Sequence, residues 1–341
     1  MIDNKLVVGF IGNGKSTNRY NAPFILIRPE KYIIKTIYNR RIHFDQWKKI
    51  DGVNYTENID ELLNDEEIDL IIVSTPVKHY EYTKLVLQHN KHCLCEKPFM
   101  NTYEQAKEIF ELADAKGLYC SPYQNRRYDS DFLTTQKVIE SGKLGDLLEL
   151  EMHFDYYRPE IPESKTSFDP YQSYLYGHAC HTLDQVISYF GKPDDIHYDV
   201  RQLLGEGRMN DYFDLDLYYE TLKVSVKSSY FRVKSRPSFV IYGKKGMFIK
   251  ESKDRQEEHL KMFYMPTHND FGEDLPEHFG TLTYYDELGY HEEKIPSIKG
   301  SYAYVYDDIY DCIVNGKPQV ITHEQTLLQM KILEEGISKL R

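Results

Sequence analysis

The chain has 341 residues, of which 41% are hydrophobic and 28% are charged, and its formal net charge at pH 7 is −12. This length is sufficient for two domains, each with its own core. The sequence has no uncharged apolar run near eighteen residues and no clustered excess of Lys and Arg, which excludes a transmembrane helix, a secretory signal segment and a nucleic-acid surface. We therefore expect a cytoplasmic protein that acts on a small molecule and has neither a membrane nor a nucleic acid as partner.

The first third of the chain alternates apolar runs with helical patterns. This alternation is typical of a parallel sheet with crossover helices, so it predicts a doubly wound α/β domain of the Rossmann type. The predicted strands are Lys5–Gly12, Ile33–Asn39, Asp69–Ser74, His92–Glu96 and Leu118–Ser121, and the predicted helices are Ile59–Leu63, Tyr80–His89 and Tyr103–Ala115.

After Tyr123 the pattern changes, which places the domain boundary there and predicts domains at 1–123 and 124–341. The second domain is predicted to be α/β with a large, mainly antiparallel open sheet, because residues 195–250 give several β-rich runs separated by turn signals. Its other predicted elements are helices at 132–141, 178–190, 304–314 and 324–339 and a strand at 147–156.

Five cysteines make an odd number without C-x-x-C spacing, which favours reduced thiols over disulfides or a zinc site. Cys93 and Cys95 flank one residue in a predicted strand, so alternation places both on one face. We interpret them as packing residues in preference to metal ligands, and we expect no bound metal.

Gly12-Asn13-Gly14 follows the first predicted strand directly, and Lys15 comes next. Glycines at this place allow a backbone to approach a pyrophosphate. Thr17 occupies the position of the third glycine of G-x-G-x-x-G, where a small residue is tolerated. An ordinary tight turn between strand and helix remains the alternative.

The end of the second predicted strand separates the two nicotinamide cofactors. Dehydrogenases that prefer NAD usually carry Asp or Glu there, whereas this chain has Tyr38-Asn39-Arg40-Arg41. A guanidinium suits the 2′-phosphate of NADP, so the sequence favours NADP, with NAD possible. A solvated basic pair is the alternative.

Several motifs occur in a fixed order: Ser74-Thr75-Pro76 with His79, Glu96-Lys97-Pro98, Tyr123-Gln124-Asn125-Arg126-Arg127, and His181-x-x-Asp184. With the glycine loop, they span most of the chain. In these motifs the sequence resembles the glucose–fructose oxidoreductase/inositol dehydrogenase (Gfo/Idh/MocA) family. The Asn-Arg-Arg stretch resembles its scyllo-inositol dehydrogenase-like branch, whose members include NADP-dependent enzymes.

The resemblance implies a Rossmann domain, a C-terminal α/β domain whose open sheet commonly mediates dimerisation, and a cleft that holds the nicotinamide. It implies hydride transfer to or from a sugar, inositol or related polyol in a homodimer or homotetramer. Lys97 would hydrogen-bond the reacting oxygen and His181 would exchange the proton, roles that suit a cation and a base in alcohol oxidation. The implied substrate-binding residues are Arg127, Tyr156, His178 and Asp184. The implied cofactor-binding residues are Gly12, Gly14, Lys15, Asn39, Arg40, Arg41, Ser74, Thr75, Pro76, His79, Glu96, Lys97 and Asn125.

One position departs from the family pattern. Family dehydrogenases usually carry Asp four residues before the catalytic histidine, and here that position is Gly177. Three interpretations of His178 remain. It replaces part of the lost group, it pairs with His181 on a metal, for which two histidines are too few, or, by default, it is a solvent-facing or cleft-lining imidazole.

Three functions therefore remain open on the sequence. The favoured one is an NAD(P)-dependent polyol dehydrogenase. The second is a cofactor-holding binder without turnover, which the absence of the aspartate would explain. The third is a member that eliminates a glycoside through transient oxidation by a retained cofactor.

Overall fold

The computed structural model describes residues 1–42, 46–160, 169, 171, 173–205 and 208–341. The chain forms two compact units, each built from more than one segment. The first comprises residues 1–125, 257–271 and 302–327, and the second comprises residues 126–256, 272–301 and 328–341. The first therefore receives two segments from the C-terminal half of the sequence.

The first unit contains a six-stranded parallel sheet in the order β3-β2-β1-β4-β5-β6. Its strands are β1 (Leu6–Ile11), β2 (Tyr32–Tyr38), β3 (Asn54–Thr56), β4 (Leu70–Val73), β5 (His92–Cys95) and β6 (Cys120–Pro122). All residues of β1 and β4 are buried, as expected for central parallel strands covered on both faces. The strand order is that of a Rossmann fold, which confirms the predicted fold class.

Four α-helices connect these strands: α1 (Ala22–Leu26), α2 (Ile59–Leu63), α3 (His79–Gln88) and α4 (Tyr103–Lys116). A π-helical segment, Ser16–Asn21, precedes α1. The hydroxyl of Thr102 caps α4 by accepting from the Gln105 N–H at 3.2 Å, and Gly117 ends the helix in the left-handed conformation.

The second unit contains an eight-stranded sheet in the order β14-β13-β12-β11-β7-β10-β9-β8, in which only β7 and β10 pair in parallel among the described strands. The strands are β7 (Leu147–His153), β8 (Asp195–Arg201), β9 (Tyr212–Tyr219), β10 (Leu222–Ser229), β11 (Phe239–Gly243), β12 (Gly246–Lys250), β13 (Gly280–Asp286) and β14 (Gly289–Ile295). This confirms the predicted mainly antiparallel sheet. Helix α5 (Ser130–Glu140) and helix α6 (Cys180–Phe190) belong to this unit, and a π-helical turn, Leu175–Ala179, leads into α6.

The last three helices are α7 (Gln256–Lys261), α8 (Ala303–Asn315) and α9 (His323–Ser338). Helix α8 packs in the first unit, where the Tyr32 hydroxyl donates to the Tyr306 carbonyl at 2.6 Å. Arg28 and Lys31 both donate to the Asp307 carboxylate. These contacts hold a late helix against the edge of the nucleotide-binding fold.

Cys93 and Cys95 lie in the buried strand β5, and Cys93 is paired in register with Cys120 of β6. All five cysteines are free thiols. No group of three His, Cys, Asp or Glu side chains in the described residues is arranged to hold a metal ion. None of the described helices is long and apolar enough to cross a membrane.

Candidate functional site

The glycine loop of the first unit begins at the carboxyl end of β1. Gly12 has φ +115°, and a Cβ at this position would lie 3.1 Å from the carbonyl oxygen of Ser74. Both the left-handed backbone and the close approach of the β4 loop therefore require glycine.

Thr17 occupies the third glycine position and is fully buried. Its hydroxyl donates to the Gly12 carbonyl at 2.6 Å and lies 2.6 Å from the Ser74 hydroxyl. The threonine thus ties the loop after β1 to the loop after β4, which explains why the loop keeps its shape without the third glycine.

Gly14 faces open space, because a Cβ there would meet nothing within 4 Å. This is the room that a backbone needs to approach a phosphate group. Lys15 follows, and its ammonium lies 5.9 Å from the centroid of the Tyr20 ring.

A cavity of about 180 Å³ opens beside this loop. It is lined by Ile11, Gly12, Tyr38, Asn39, Arg40, Thr75, Pro76, Val77, Lys78 and Tyr82. Five of the cofactor-binding residues expected from the sequence, Gly12, Asn39, Arg40, Thr75 and Pro76, therefore line one cavity. The expected Arg41 is not among its lining residues.

Arg40 is exposed. The neighbouring phenols of Tyr82, which has the larger effect, and Tyr38 raise the pKa of Arg40 above its ordinary value. Asn39 lies beside it, with its Oδ1 accepting from the Asn13 N–H at 3.4 Å. The guanidinium of Arg40, just after β2, therefore lies next to the glycine loop.

Glu96 of the E-K-P motif is buried beneath the glycine-loop helix. Its carboxylate accepts from the Ser16 hydroxyl, from Asn21 Nδ2 at 3.0 Å and from the Lys97 N–H at 3.2 Å. Glu96 thus fastens the backbone of Lys97 to the segment that follows the glycines. The Lys97 side chain is partly exposed.

His79 begins helix α3 and joins two loops. Its Nε2 lies 2.7 Å from the Thr75 carbonyl oxygen and its Nδ1 lies 2.8 Å from the Pro98 carbonyl oxygen. Both ring nitrogens of His79, which the sequence predicts to bind the cofactor, therefore lie within hydrogen-bond distance of backbone carbonyls. Asn125, another expected cofactor residue, is buried at the start of a short 3₁₀ turn, Asn125–Tyr128.

In the second unit, His181 and Asp184 lie one helical turn apart on α6, and both are buried. Both oxygens of Asp184 accept from Arg127, at 2.8 Å from Nε and at 2.8 Å from Nη2. Gln185 Nε2 donates to the Arg126 carbonyl at 2.7 Å. The structure thus brings the two arginines of the Asn-Arg-Arg motif into contact with the helix that carries His181.

His178 lies in the π-helical turn before α6, surrounded by aromatic rings. Its ring centroid is 5.2 Å from that of Tyr156, with the rings edge to face, and 4.3 Å from that of Tyr174. The guanidinium of Arg158 lies 4.3 Å from the Tyr156 centroid. Of the four substrate residues expected from the sequence, Tyr156 and His178 thus form one group and Arg127 and Asp184 another.

Comparison with known proteins gives a family for both parts of the chain. Residues 6–124 match the oxidoreductase family described as having an NAD-binding Rossmann fold, and residues 136–339 match its C-terminal alpha/beta domain. The chain belongs to the Gfo/Idh/MocA oxidoreductase family.

Two curated members illustrate the relationship. The uncharacterized oxidoreductase YhhX of Escherichia coli is 42% identical over 334 residues, covering 97% of this chain and 95% of YhhX. The scyllo-inositol 2-dehydrogenase (NADP(+)) IolW of Bacillus subtilis is 32% identical over 332 residues, covering 97% of this chain and 92% of IolW.

Solved structures agree with this assignment. A crystal structure of YhhX matches with a TM-score of 0.93 at 41% identity, covering 98% of this chain and 97% of that one. An oxidoreductase from Bacillus cereus matches with a TM-score of 0.91 at 40% identity, covering 98% and 96%. The chain is thus an NAD(P)-binding oxidoreductase of the Gfo/Idh/MocA family over nearly its whole length.

Gly177 occupies the position four residues before His181, where the family resemblance led us to expect Asp. A Cβ on Gly177 would meet nothing within 4 Å, and its φ is not in the left-handed region. The position is therefore open, and neither packing nor backbone conformation requires glycine there.

Some residues that contact the candidate site residues were not predicted from the sequence. These are Tyr38 and Tyr82 beside Arg40, and Ser16 and Asn21, which donate to Glu96. Tyr82 comes three residues after His79 in a predicted helix, and this spacing was the one available signal. The others depend on contacts that local sequence patterns do not encode.

Proposed function

We propose that this family member is an NADP(H)-linked dehydrogenase that acts on a hydroxyl or carbonyl group of a sugar, inositol or related polyol. The proposal rests on the position of Arg40, which lines the cavity beside Gly12 together with Tyr38 and Tyr82. No carboxylate lies among the described residues that line this cavity. A guanidinium without a competing carboxylate favours a 2′-phosphate over a free ribose hydroxyl.

The residues of the first unit fit a dinucleotide. Gly14 leaves room for phosphate, and Gly12, Asn39, Arg40, Thr75 and Pro76 line the cavity where an adenosine half would bind. Lys15, Arg41 and Ser74 flank the same loops. When bound, the nicotinamide supplies the hydride acceptor or donor.

Lys97 and His181 are the proposed catalytic residues. Lys97 would donate a hydrogen bond to the reacting oxygen and favour its negative charge, and His181 would accept or return the hydroxyl proton. Glu96 supports the first role by holding the Lys97 N–H. The buried position of His181 in the first turn of α6 supports the second.

A polyol substrate is supported by two observations. Tyr156, Tyr174 and His178 form a group of rings, and aromatic faces pack against the C–H surfaces of sugars. In addition, the relative IolW is named as an NADP-dependent scyllo-inositol dehydrogenase.

We also propose that the open sheet of the second unit forms a homodimer contact, within a dimer or tetramer. The strand registers set Tyr242, Glu149, Lys223 and Tyr218 side by side on one face. Light scattering of the purified protein measures the assembly directly, and a monomer would contradict it.

The dehydrogenase proposal is tested by titrating the protein with NADPH and NADH by fluorescence, then following reduced-cofactor absorbance with a panel of inositols, aldoses and ketoses. Lys97→Met removes the ammonium with little change in size, and Lys107→Met, on the exposed face of α4, is its control. We expect tighter binding of NADPH than of NADH, and turnover that only Lys97→Met abolishes.

The other outcomes separate the alternatives. Cofactor binding without turnover on the whole panel would favour the non-catalytic binder. Turnover that needs no added cofactor would favour elimination through transient oxidation. Failure to bind either cofactor would contradict the proposal.

A further inference from the structure

His79 makes two hydrogen bonds that a neutral imidazole cannot make together. Its Nδ1 and Nε2 lie 2.8 Å and 2.7 Å from the carbonyl oxygens of Pro98 and Thr75. A carbonyl oxygen has no hydrogen to donate, so each ring nitrogen must be the donor. Because the neutral ring has a single N–H, the arrangement requires the doubly protonated imidazolium.

The surroundings of the ring agree with this charge. Burial lowers the pKa of His79, whereas a thiolate at Cys95 and the hydrogen bonds to the Thr75 and Pro98 carbonyls would raise it. Burial raises the pKa of Cys95 itself, so this neighbour is a neutral thiol at pH 7. The two carbonyls are then the groups that stabilise the cation.

The position of His79 on its helix opposes a positive charge on the ring, so the carbonyl contacts must compensate for it. His79 is the first residue of α3, where the helix dipole disfavours a cation. A histidine that only began the helix would be better neutral, with one nitrogen accepting. The two carbonyl acceptors outweigh this preference, and both belong to loops that carry family motifs.

Lys97 is the residue whose backbone these contacts fix. Its N–H donates to the Glu96 carboxylate, which also accepts from Ser16 and Asn21. On its other side, the carbonyl of the next residue, Pro98, accepts from His79. The lysine is thus fastened through Glu96 to the glycine-loop helix and through His79 to the Thr75 loop, which lines the cofactor cavity.

We propose that His79 is a positioning residue that acts as a permanent imidazolium clamp, holding the Lys97 loop in place relative to the Thr75 loop. In this role it acts through Lys97 and does not touch the cofactor. The inference rests on the proposed function, because it takes Lys97 as the residue that contacts the reacting oxygen.

The kinetic test replaces His79 by Gln, a neutral side chain that cannot donate in both directions. We expect kcat to fall at least tenfold, while the Kd for NADPH changes less than threefold. His89→Gln is the matched control, because His89 ends the same helix with Nδ1 2.8 Å from the Leu85 carbonyl and lies away from both loops. A raised Kd for NADPH with unchanged kcat would instead identify His79 as a cofactor ligand and overturn the proposal, as would no change in either.

Chemical rescue separates the clamp from a general packing role. We expect added imidazole to restore part of the kcat of His79→Ala, with the restoration fading as pH rises through the ordinary pKa of free imidazole. Rescue that grows as the added imidazole becomes neutral, or no rescue with a folded variant, would contradict a cationic clamp.

Two measurements do not depend on turnover. Nitrogen-15 NMR of the wild-type protein at pH 8 should show both His79 ring nitrogens protonated, and a singly protonated ring would overturn the inference. Hydrogen exchange of the 96–100 segment should speed up in His79→Gln and not in His89→Gln. If Lys97→Met keeps full activity while the NMR and hydrogen-exchange results are as expected, the proposed catalytic role of Lys97 is wrong. His79 would then be an imidazolium that stabilises the structure of the loop without a role in catalysis.

Discussion

Arg127 and Asp184 form a bidentate ion pair in the second unit, with Nε to Oδ2 and Nη2 to Oδ1 both at 2.8 Å. The Arg127 side chain is 8% exposed and that of Asp184 is 3% exposed, so water contributes little to the stabilisation of either charge. Both residues were predicted from the sequence to bind substrate. The structure shows that they bind each other, with Asp184 one turn after His181 on α6 and Arg127 in the 3₁₀ turn Asn125–Tyr128.

Removing one partner of this pair should destabilise the protein strongly. We expect Asp184→Asn to lower the free energy of unfolding by roughly 3–5 kcal/mol, because Arg127 would be left as a buried charge without its carboxylate. Urea unfolding followed by circular dichroism measures the change.

The double variant Arg127→Met, Asp184→Leu is the control. It removes both charges and should recover much of the lost stability. A folded double variant without activity would mean that the pair also contacts substrate. A cost of less than about 1 kcal/mol for Asp184→Asn would contradict the importance of the pair.

Gly177→Asp should restore the carboxylate that most family dehydrogenases carry. The position has open space around its Cβ, so the change should fold without strain. We expect kcat to rise by about tenfold or more, since a positioned carboxylate improves proton transfer by histidine. Steady-state kinetics on the best substrate of the polyol panel measures it.

The isosteric Gly177→Asn separates charge from shape and should give little of this gain. Gly177→Ala should raise the unfolding free energy by about 0.5–1 kcal/mol, because glycine is costly inside a helix. A loss of activity in all three variants would indicate that substrate needs the open space itself.

Asp131 should make stability depend on pH. Burial and then the neighbouring Asp254 raise the pKa of Asp131 to about 6 in the folded protein, against about 3.9 for an unfolded chain. The folded state therefore binds more protons between pH 4 and pH 6, and this group's contribution to stability falls as pH rises through that window.

We accordingly expect Asp131→Asn to raise the unfolding free energy at pH 7.5 by up to about 3 kcal/mol and to give no gain near pH 4. The amide oxygen retains the hydrogen bond from the Phe132 N–H, which is 2.9 Å long in the wild type. Urea unfolding at both pH values measures the effect, with exposed Asp146→Asn as control. An equal gain at both pH values would refute the linkage.

Arg40 and Arg41 should contribute unequally to cofactor choice. Of the two arginines, only Arg40 lines the cavity, beside Tyr38 and Tyr82. Arg40→Ala should therefore raise the Kd for NADPH by roughly tenfold to a hundredfold, the factor expected when a hydrogen bond to a charged group is lost. Binding of NADH should barely change, and Arg41→Ala should have a smaller effect. Fluorescence titration of both variants measures this, and equal losses for the two cofactors would contradict a 2′-phosphate role.

The sequence was sufficient to predict the Rossmann fold, because buried parallel strands such as β1 and β4 are nearly continuous apolar runs. It missed β3, which has three residues, β13, which buries two of its seven residues, and β14, whose residues alternate between exposed and half-buried. Such strands bury too little side chain to leave a clear apolar pattern.

The family motifs were sufficient to nominate candidate site residues by type. They could not predict hydrogen bonds between those side chains and backbone carbonyls. His79 was singled out, but its partners are the carbonyls of Thr75 and Pro98, which have no sequence signature. Tyr306 donates to Asn21 across 285 positions of sequence, a separation at which no local periodicity is informative.

The return of helix α8 to the first unit has a consequence for how the protein is made. The nucleotide-binding unit is composed of residues 1–125, 257–271 and 302–327, so a ribosome has synthesised all residues before 302 when the last segment of this unit emerges. Until then Tyr32, Asn21 and Arg28 lack the partners that Tyr306 and Asp307 provide. The Rossmann sheet, whose six strands all lie between Leu6 and Pro122, therefore lacks its contacts with α8 until most of the second unit has been translated.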